Sequence, residues 1–320
     1  MNKELAIGID IGGTGIQYGI CDINGHLLLK GNLKTGDYPA VDDFIEEIFR
    51  LLNPEIIKLS KEYVFKGIGI GAPNGNYFTG CISYAPNLNW KGEIPLADMI
   101  SKKFSLPALL TNDANAAAIG EMKFGAARGM RDFILITLGT GVGSGIVSNG
   151  QLILGHDGFA GELGHVIVVP GGRLHSGTGM RGALECYASA PGVVITALEL
   201  LKSEAEPSIL REKYKESNIG SKEIYEAANQ GDRIAIKAFN ETGKVLGEAL
   251  ANFIMFSSPE AIILFGGLTK AGDFLLLPTK AHMEKNLLPI FQHKVKLMLS
   301  QLDESDAAIL GAAALIWDQK

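Results

Sequence analysis

Two glycine-rich segments of this 320-residue chain repeat one another, and each follows an apolar run. The first is Asp10-Ile11-Gly12-Gly13-Thr14-Gly15, running on to Asn24-Gly25. The second is Leu138-Gly139-Thr140-Gly141-Val142-Gly143-Ser144-Gly145, running on to Asn149-Gly150. Leu5–Ile9 and Phe133–Leu138 lead in; further apolar runs lead out, ending at Ile23 and Val147. Each copy reads as strand, small-residue turn, strand and Asn-Gly hairpin. A repeat of this kind predicts two related domains facing each other, with a phosphate chain held between the turns. Glycine suits that task because no side chain keeps the backbone N–H groups from an anion.

Neither copy is one of the better-known nucleotide loops. A Walker A loop needs a Lys-Ser/Thr pair opening a helix, and the dinucleotide fingerprint runs from strand into helix. Here strand runs into strand. With Asp10 at the end of the first strand, the pair resembles the actin-like sugar-kinase ATPase superfamily. That resemblance implies that Asp10 helps to hold the magnesium of the nucleotide.

Composition narrows the classes. Apolar residues make up 47% and charged residues 20%, with 29 Lys and Arg against 35 Asp and Glu for a net charge of −6. That balance, with no basic cluster, argues against nucleic acid as a partner. Apolar stretches such as Ala307–Trp317 fall short of the roughly 20 residues that span a bilayer. Cys21, Cys81 and Cys186 form no disulfide framework. The first strand is expected by about residue 5, so neither a signal peptide nor a DNA-binding helix-turn-helix is expected ahead of it, and a cytoplasmic protein fits best.

Strands and helices alternate after each glycine hairpin, an α/β pattern in both halves. Asp42–Tyr63 has helical periodicity, with Pro54 either breaking it or starting a second helix. Lys66–Ala72 reads as a buried strand, Leu96–Phe104 as a helix, Ala108–Thr111 as a strand and Ala116–Phe124 as a helix opened by Asn112-Asp113. Gly158–Gly182 carries little regular structure. Helices are expected from Leu184 to Phe256, with a break around Ser217–Ser221, then a strand Ala261–Phe265 entering Gly266-Gly267. The expected domains are 1–112 with the C-terminal helix of about 303–320, and 113–302.

Asn112-Asp113 admits two readings. One is an ordinary helix N-cap, which Asn and Asp fill readily. The other is a carboxylate that accepts a hydroxyl proton during in-line phosphoryl transfer. Its place between the two proposed phosphate turns favours the second, and a helix N-terminus favours the ionised form.

The segments Gly161-Glu162-Leu163-Gly164-His165, Pro170-Gly171-Gly172-Arg173 and Arg181-Gly182-Ala183-Leu184-Glu185 follow. With Asp10-Ile11-Gly12-Gly13-Thr14 and Asn112-Asp113, in this order, they resemble the ROK family of bacterial sugar kinases and repressors over nearly the whole chain. The resemblance implies two actin-like α/β domains around a central cleft, and ATP- and Mg-dependent phosphorylation of a hexose. Position by position, it implies that Asp113 is the general base for the sugar 6-hydroxyl and that Asn112 binds ring hydroxyls. Glu162, His165 and Glu185 would bind hydroxyls near the anomeric end, and Asn87 would reach the sugar from the smaller domain. Gly12, Gly13, Thr14, Thr140 and Gly141 would line the phosphates, Gly266 and Gly267 would turn beside the nucleoside, and Asp10 would meet magnesium through water or phosphate. Plainer roles compete: His165 as a structural histidine, Glu185 as a first-turn helix acid, Trp90 and Tyr84 as packing residues, Arg173 and Arg181 as loop braces.

The family resemblance also implies a zinc site made by the His of Glu-x-Gly-His and three cysteines. Those cysteine positions hold Ser176, Thr178 and Ala183, so zinc is not expected. Ser176 and Thr178 are expected to tie the loop to its own backbone instead, and a substitute metal set of His165, His175 and Cys186 lacks a fourth ligand. Glucose is the expected hexose; N-acetylglucosamine or N-acetylmannosamine is the alternative within the class. A sugar-responsive repressor is the remote one, and a filament-forming ATPase would have no use for the sugar set. Pairing of two copies and use of polyphosphate stay open.

Overall fold

The computed structural model describes residues 3–211 and 219–317. The expected break at 217–221 lies partly outside them, at residues 217 and 218, as do the last three residues of the expected terminal helix. The chain divides into two compact units, Met1–Met130 with Gly145–Gly161 and Ser300–Lys320, and Arg131–Ser144 with Glu162–Leu299.

In the first unit, β1 (Glu4–Ile11), β2 (Gly15–Asp22) and β3 (Leu27–Lys34) form an antiparallel meander. α1 (Val41–Leu59) then carries the chain to β4 (Val64–Ala72), parallel to β1. A small ribbon of β5 (Ile82–Ser83) and β6 (Glu93–Ile94) precedes α2 (Leu96–Phe104), β7 (Ala108–Asn112) and α3 (Asp113–Phe124). The sheet runs β3-β2-β1-β4-β7. Successive residues of β1 face opposite ways. Ile7, Ile9 and Ile11 enter the core that Phe44, Ile48 and Leu52 of α1 complete. Ala6 joins Leu310 and Ala313 of the C-terminal helix, Glu304–Ala314, on the other face. Pro54 neither breaks nor restarts α1, which is one helix throughout.

The expected break between residues 112 and 113 is displaced. α3 packs on the C-terminal helix and on β4, so the first unit continues to Met130.

A second five-stranded sheet repeats the order. β8 (Phe133–Leu138), β9 (Val142–Ser148), β10 (Gln151–Leu152), β11 (Ala261–Phe265) and β12 (Lys296–Leu299) give a sheet β10-β9-β8-β11-β12. β9 and β10 are antiparallel, while β8, β11 and β12 are parallel. Asn149 and Gly150 both have positive φ, as the Asn-Gly hairpin requires. Helices α4 (Glu185–Ala188), α5 (Ala190–Ser203), α6 (Ser221–Asn229), α7 (Arg233–Ser257) and α8 (Asp273–Lys285) complete it. Neither α8, which contains Pro278, nor β12 was expected from the sequence. Among the described residues no helix is long and apolar enough to cross a membrane.

The C-terminal helix lies on bare backbone. A methyl group on Gly8 of β1 would overlap the carbonyl of Ile309, and one on Gly69 of β4 the carbonyl of Ala312. Gly69→Ala should therefore lower unfolding free energy by about 3 kcal/mol, at the upper end of overpacking costs. Gly36→Ala, which meets nothing within 4 Å, should stay within about 0.5 kcal/mol of wild type. Urea unfolding of both variants checks this, and equal midpoints would contradict it.

Candidate active site

Three strand ends define the acidic centre of the first unit. Register places Asp10 of β1 beside Gly71 of β4, and Ala72 beside Asn112 of β7. Asn112 is extended and its Oδ1 accepts the Ala114 N–H at 2.8 Å, so the cap belongs to Asn112. Asp113 opens the helix, exposed, with its own Oδ1 also 2.8 Å from the Ala114 nitrogen. A methyl on Gly71 would sit 3.0 Å from Asp10 Oδ1 and 3.6 Å from the Cα of Asp113. A bare backbone thus lets the two acids share one corner. Burial pushes the Asp10 carboxyl up to about 7, and the Asp113 charge adds to the rise.

The first glycine turn follows immediately. Gly12 N–H donates to Gly15 carbonyl at 2.8 Å, and Thr35 Oγ1 donates to Gly12 carbonyl at 2.6 Å. Gly13 and Thr14 are exposed at its tip. Asn87 is exposed too, and its Cβ lies 3.2 Å from where a Gly13 methyl would be. Trp90 is buried, giving its indole N–H to the Tyr38 carbonyl, as a packing residue does; Tyr84, expected to pack, is exposed.

In the second unit the corresponding turn closes through Gly139 N–H to Gly141 carbonyl at 2.9 Å. Thr137 Oγ1 accepts from the Gly143 N–H at 3.0 Å. Gly266, at φ 102°, passes against the Leu138 backbone, where any side chain would collide. Gly139, Thr140 and Gly267 share a cavity of about 590 Å³ with Lys222, Tyr225 and Lys270. The glycines stand in sequence motifs; Lys222, Tyr225 and Lys270, which lie on α6 and beside Gly267, carry no motif and are visible only in the fold.

Glu162, His165 and Glu185 form a second group there. Leu163–His165 makes one 3-10 turn, fastened by Leu163 N–H to Ser144 Oγ at 3.1 Å. Glu162 Oε2 lies 3.2 Å from His165 Nδ1. Glu185 Oε2 accepts the Val142 N–H at 2.7 Å, and Oε1 lies 2.6 Å from His175 Nε2. Arg173 is the loop brace, reaching the carbonyls of Cys186 and Gly192. The residues at the family's zinc positions do not fit that metal: Ala183 is a buried methyl, and Thr178 Oγ1 is taken by His175 Nδ1 and the Met180 N–H. The cluster that forms is also not the set of His165, His175 and Cys186 put aside above, since Glu185 rather than Cys186 joins the two histidines within 4.8 Å.

The Asp10 shift has a sign. A carboxyl whose folded pKa is about 7 against 3.8 unfolded holds its proton more tightly when folded. Ionising it therefore costs stability between pH 4 and pH 7, at most about 4 kcal/mol above that window. Asp10→Asn should raise the melting temperature of the metal-free protein at pH 8 and leave it nearly unchanged at pH 4. Thermal melts in chelator at both values check this; a lower melting temperature at pH 8 would contradict it.

A family model described as "ROK family" matches residues 6–319. The glucokinase of Halalkalibacterium halodurans is 35% identical across 100% of this chain and 97% of its own. A putative xylose repressor of Caldicellulosiruptor is 29% identical across 98% of this chain and 78% of its own. Among solved structures, a ROK family glucokinase from Streptomyces griseus in complex with glucose and AMPPNP is 34% identical, with a TM-score of 0.78 over 97% of this chain and 98% of that one. The chain belongs to the ROK family.

Proposed function

We propose that this protein is an ATP-dependent glucokinase that phosphorylates the 6-hydroxyl of glucose in the cytoplasm. The observation that carries the reading is full-length likeness to glucokinases, above that to repressors, in a chain that keeps Asp113 at the head of α3. The sugar oxygen attacks the γ-phosphorus, the bond from that phosphorus to the bridging oxygen of ADP breaks with its electrons left on ADP, and the hydroxyl proton passes to Asp113. Asn87 and Asn112 in the first unit, and Glu162, His165 and Glu185 in the second, carry the kinds of acceptor and donor that sugar hydroxyls need. Gly12, Gly13 and Thr14 of the first unit are phosphate-lining residues, as are Thr140 and Gly141 of the second, and the cavity beside Tyr225 and Gly267 takes the nucleoside. Magnesium draws charge from the phosphate oxygens when bound. Asp10 would hold it, and a dication relieves the repulsion between two neighbouring acids.

ADP release measured with glucose, mannose, fructose and the two N-acetylhexosamines should give the highest kcat/KM for glucose. Normal nucleotide binding with no turnover of any of them would contradict the reading. Asp113→Asn should lower kcat by about 10²–10⁴-fold, the usual loss for a general base, with glucose affinity nearly unchanged. Retention of more than about a tenth of the wild-type rate would leave Asp113 a helix-end residue only.

A further inference from the structure

The segment that carries Ser176 and Thr178 closes on itself without a metal's donor set. His175 N–H donates to Met180 carbonyl and Gly179 N–H to His175 carbonyl, each at 2.8 Å, making a tight hairpin whose outer residues are exposed. Below it, Gly182 N–H donates to Arg173 carbonyl at 2.8 Å. The side chain of His175 turns inward and is only 14% exposed.

Its hydrogen bonds assign its proton. Thr178 N–H can only donate, and it meets His175 Nδ1 at 3.1 Å. Nδ1 is therefore bare, and the neutral ring carries its hydrogen on Nε2. That hydrogen donates to Glu185 Oε1 at 2.6 Å, while Oε2 accepts from Val142 N–H. Glu185 is thus held at both oxygens, one by the hairpin and one by the residue after the second glycine turn. A Gly141 methyl would overlap Oε2, so the fit is close. His175 also packs edge-on against His165, with ring centres 5.4 Å apart.

We propose that His175 is a positioning residue: as the Nε2–H tautomer it fixes Glu185, and by ring contact His165, in the orientation that receives the sugar. The sugar half of this statement rests on the reading of Glu185 and His165 given above. Two ligand atoms on one tetrahedral zinc stand about 3.2–3.4 Å apart, given metal–ligand bonds of about 2.0–2.1 Å. The His175–Glu185 separation of 2.6 Å is that of a hydrogen bond. The loop is then a hydrogen-bonded substitute for a metal clip, with His175 at its centre.

Two measurements test it. In metal-free protein carrying nitrogen-15 histidine, the His175 resonances, identified by their loss in His175→Phe, should show the neutral Nε2–H form. The Nδ1–H form would overturn the proposal, as would near-stoichiometric zinc that survives purification and is lost in His175→Phe. In kinetics, His175→Phe should raise KM for glucose about ten- to a hundredfold, the loss expected for a hydrogen bond to a charged group, with kcat and KM for ATP within about threefold. His175→Gln, which keeps a donor near the Nε2 position, should recover most of that KM. Equal effects of Phe and Gln, or losses confined to melting temperature, would reduce His175 to a loop prop and overturn the role. If wild type phosphorylates no hexose, the sugar reading fails by itself, and the resonance assignment alone decides the link to Glu185.

Discussion

A helix resting on bare backbone sets the geometry of the first unit. The carbonyls of Ile309 and Ala312 press where side chains of Gly8 and Gly69 would stand, so Glu304–Ala314 sits unusually close to β1 and β4. α3 is drawn in by the same device, because Gly120 and Gly311 face each other with no room for a methyl between them. With the helix fixed against the sheet and α3 fixed against the helix, the start of α3 has one place to be. That place is beside the end of β1, and it brings Asp113 to Asp10.

The consequence is an acidic corner that works against stability. Asp10 lies half-buried next to another carboxylate, and its affinity for a proton rises accordingly. A fold gains nothing from this pair on its own. The arrangement makes physical sense if a cation and a phosphate chain are what the corner is built to receive, since a bound dication reverses the local preference for the proton. In the second unit the polar group around Glu185 has the opposite character: each oxygen has a backbone or ring donor, and the loop is tied by hydrogen bonds throughout.

How much of this was legible depended on range. The duplicated glycine turns are local, and Gly12–Gly15 and Gly139–Gly141 form the hairpins that their apolar flanks predict. Asn112-Asp113 is local as well, since strand, cap and helix follow within a few residues. Family likeness singled out Glu162, His165 and Glu185, yet only the folded chain shows Glu185 pinned by Val142, 43 residues earlier. His175 matched no motif, and its importance comes from a contact with Glu185 that the intervening hairpin creates. Lys222, Tyr225 and Lys270 were invisible for the same reason: the helix that carries the first two reaches Gly139 and Gly267 only through packing. Pro54 misled in the other direction, because α1 runs on through a residue that ordinarily ends a helix.

One chemical event lies at the centre of the proposed function, transfer of the terminal phosphoryl group of ATP to the 6-hydroxyl of a hexose. Phosphorus-31 NMR of the protein with ATP, magnesium and glucose follows it directly. A glucokinase should give one sugar 6-phosphate for each ADP formed, with inorganic phosphate staying at background. ADP accompanied only by inorganic phosphate, or a phosphate ester at another sugar position, would contradict it.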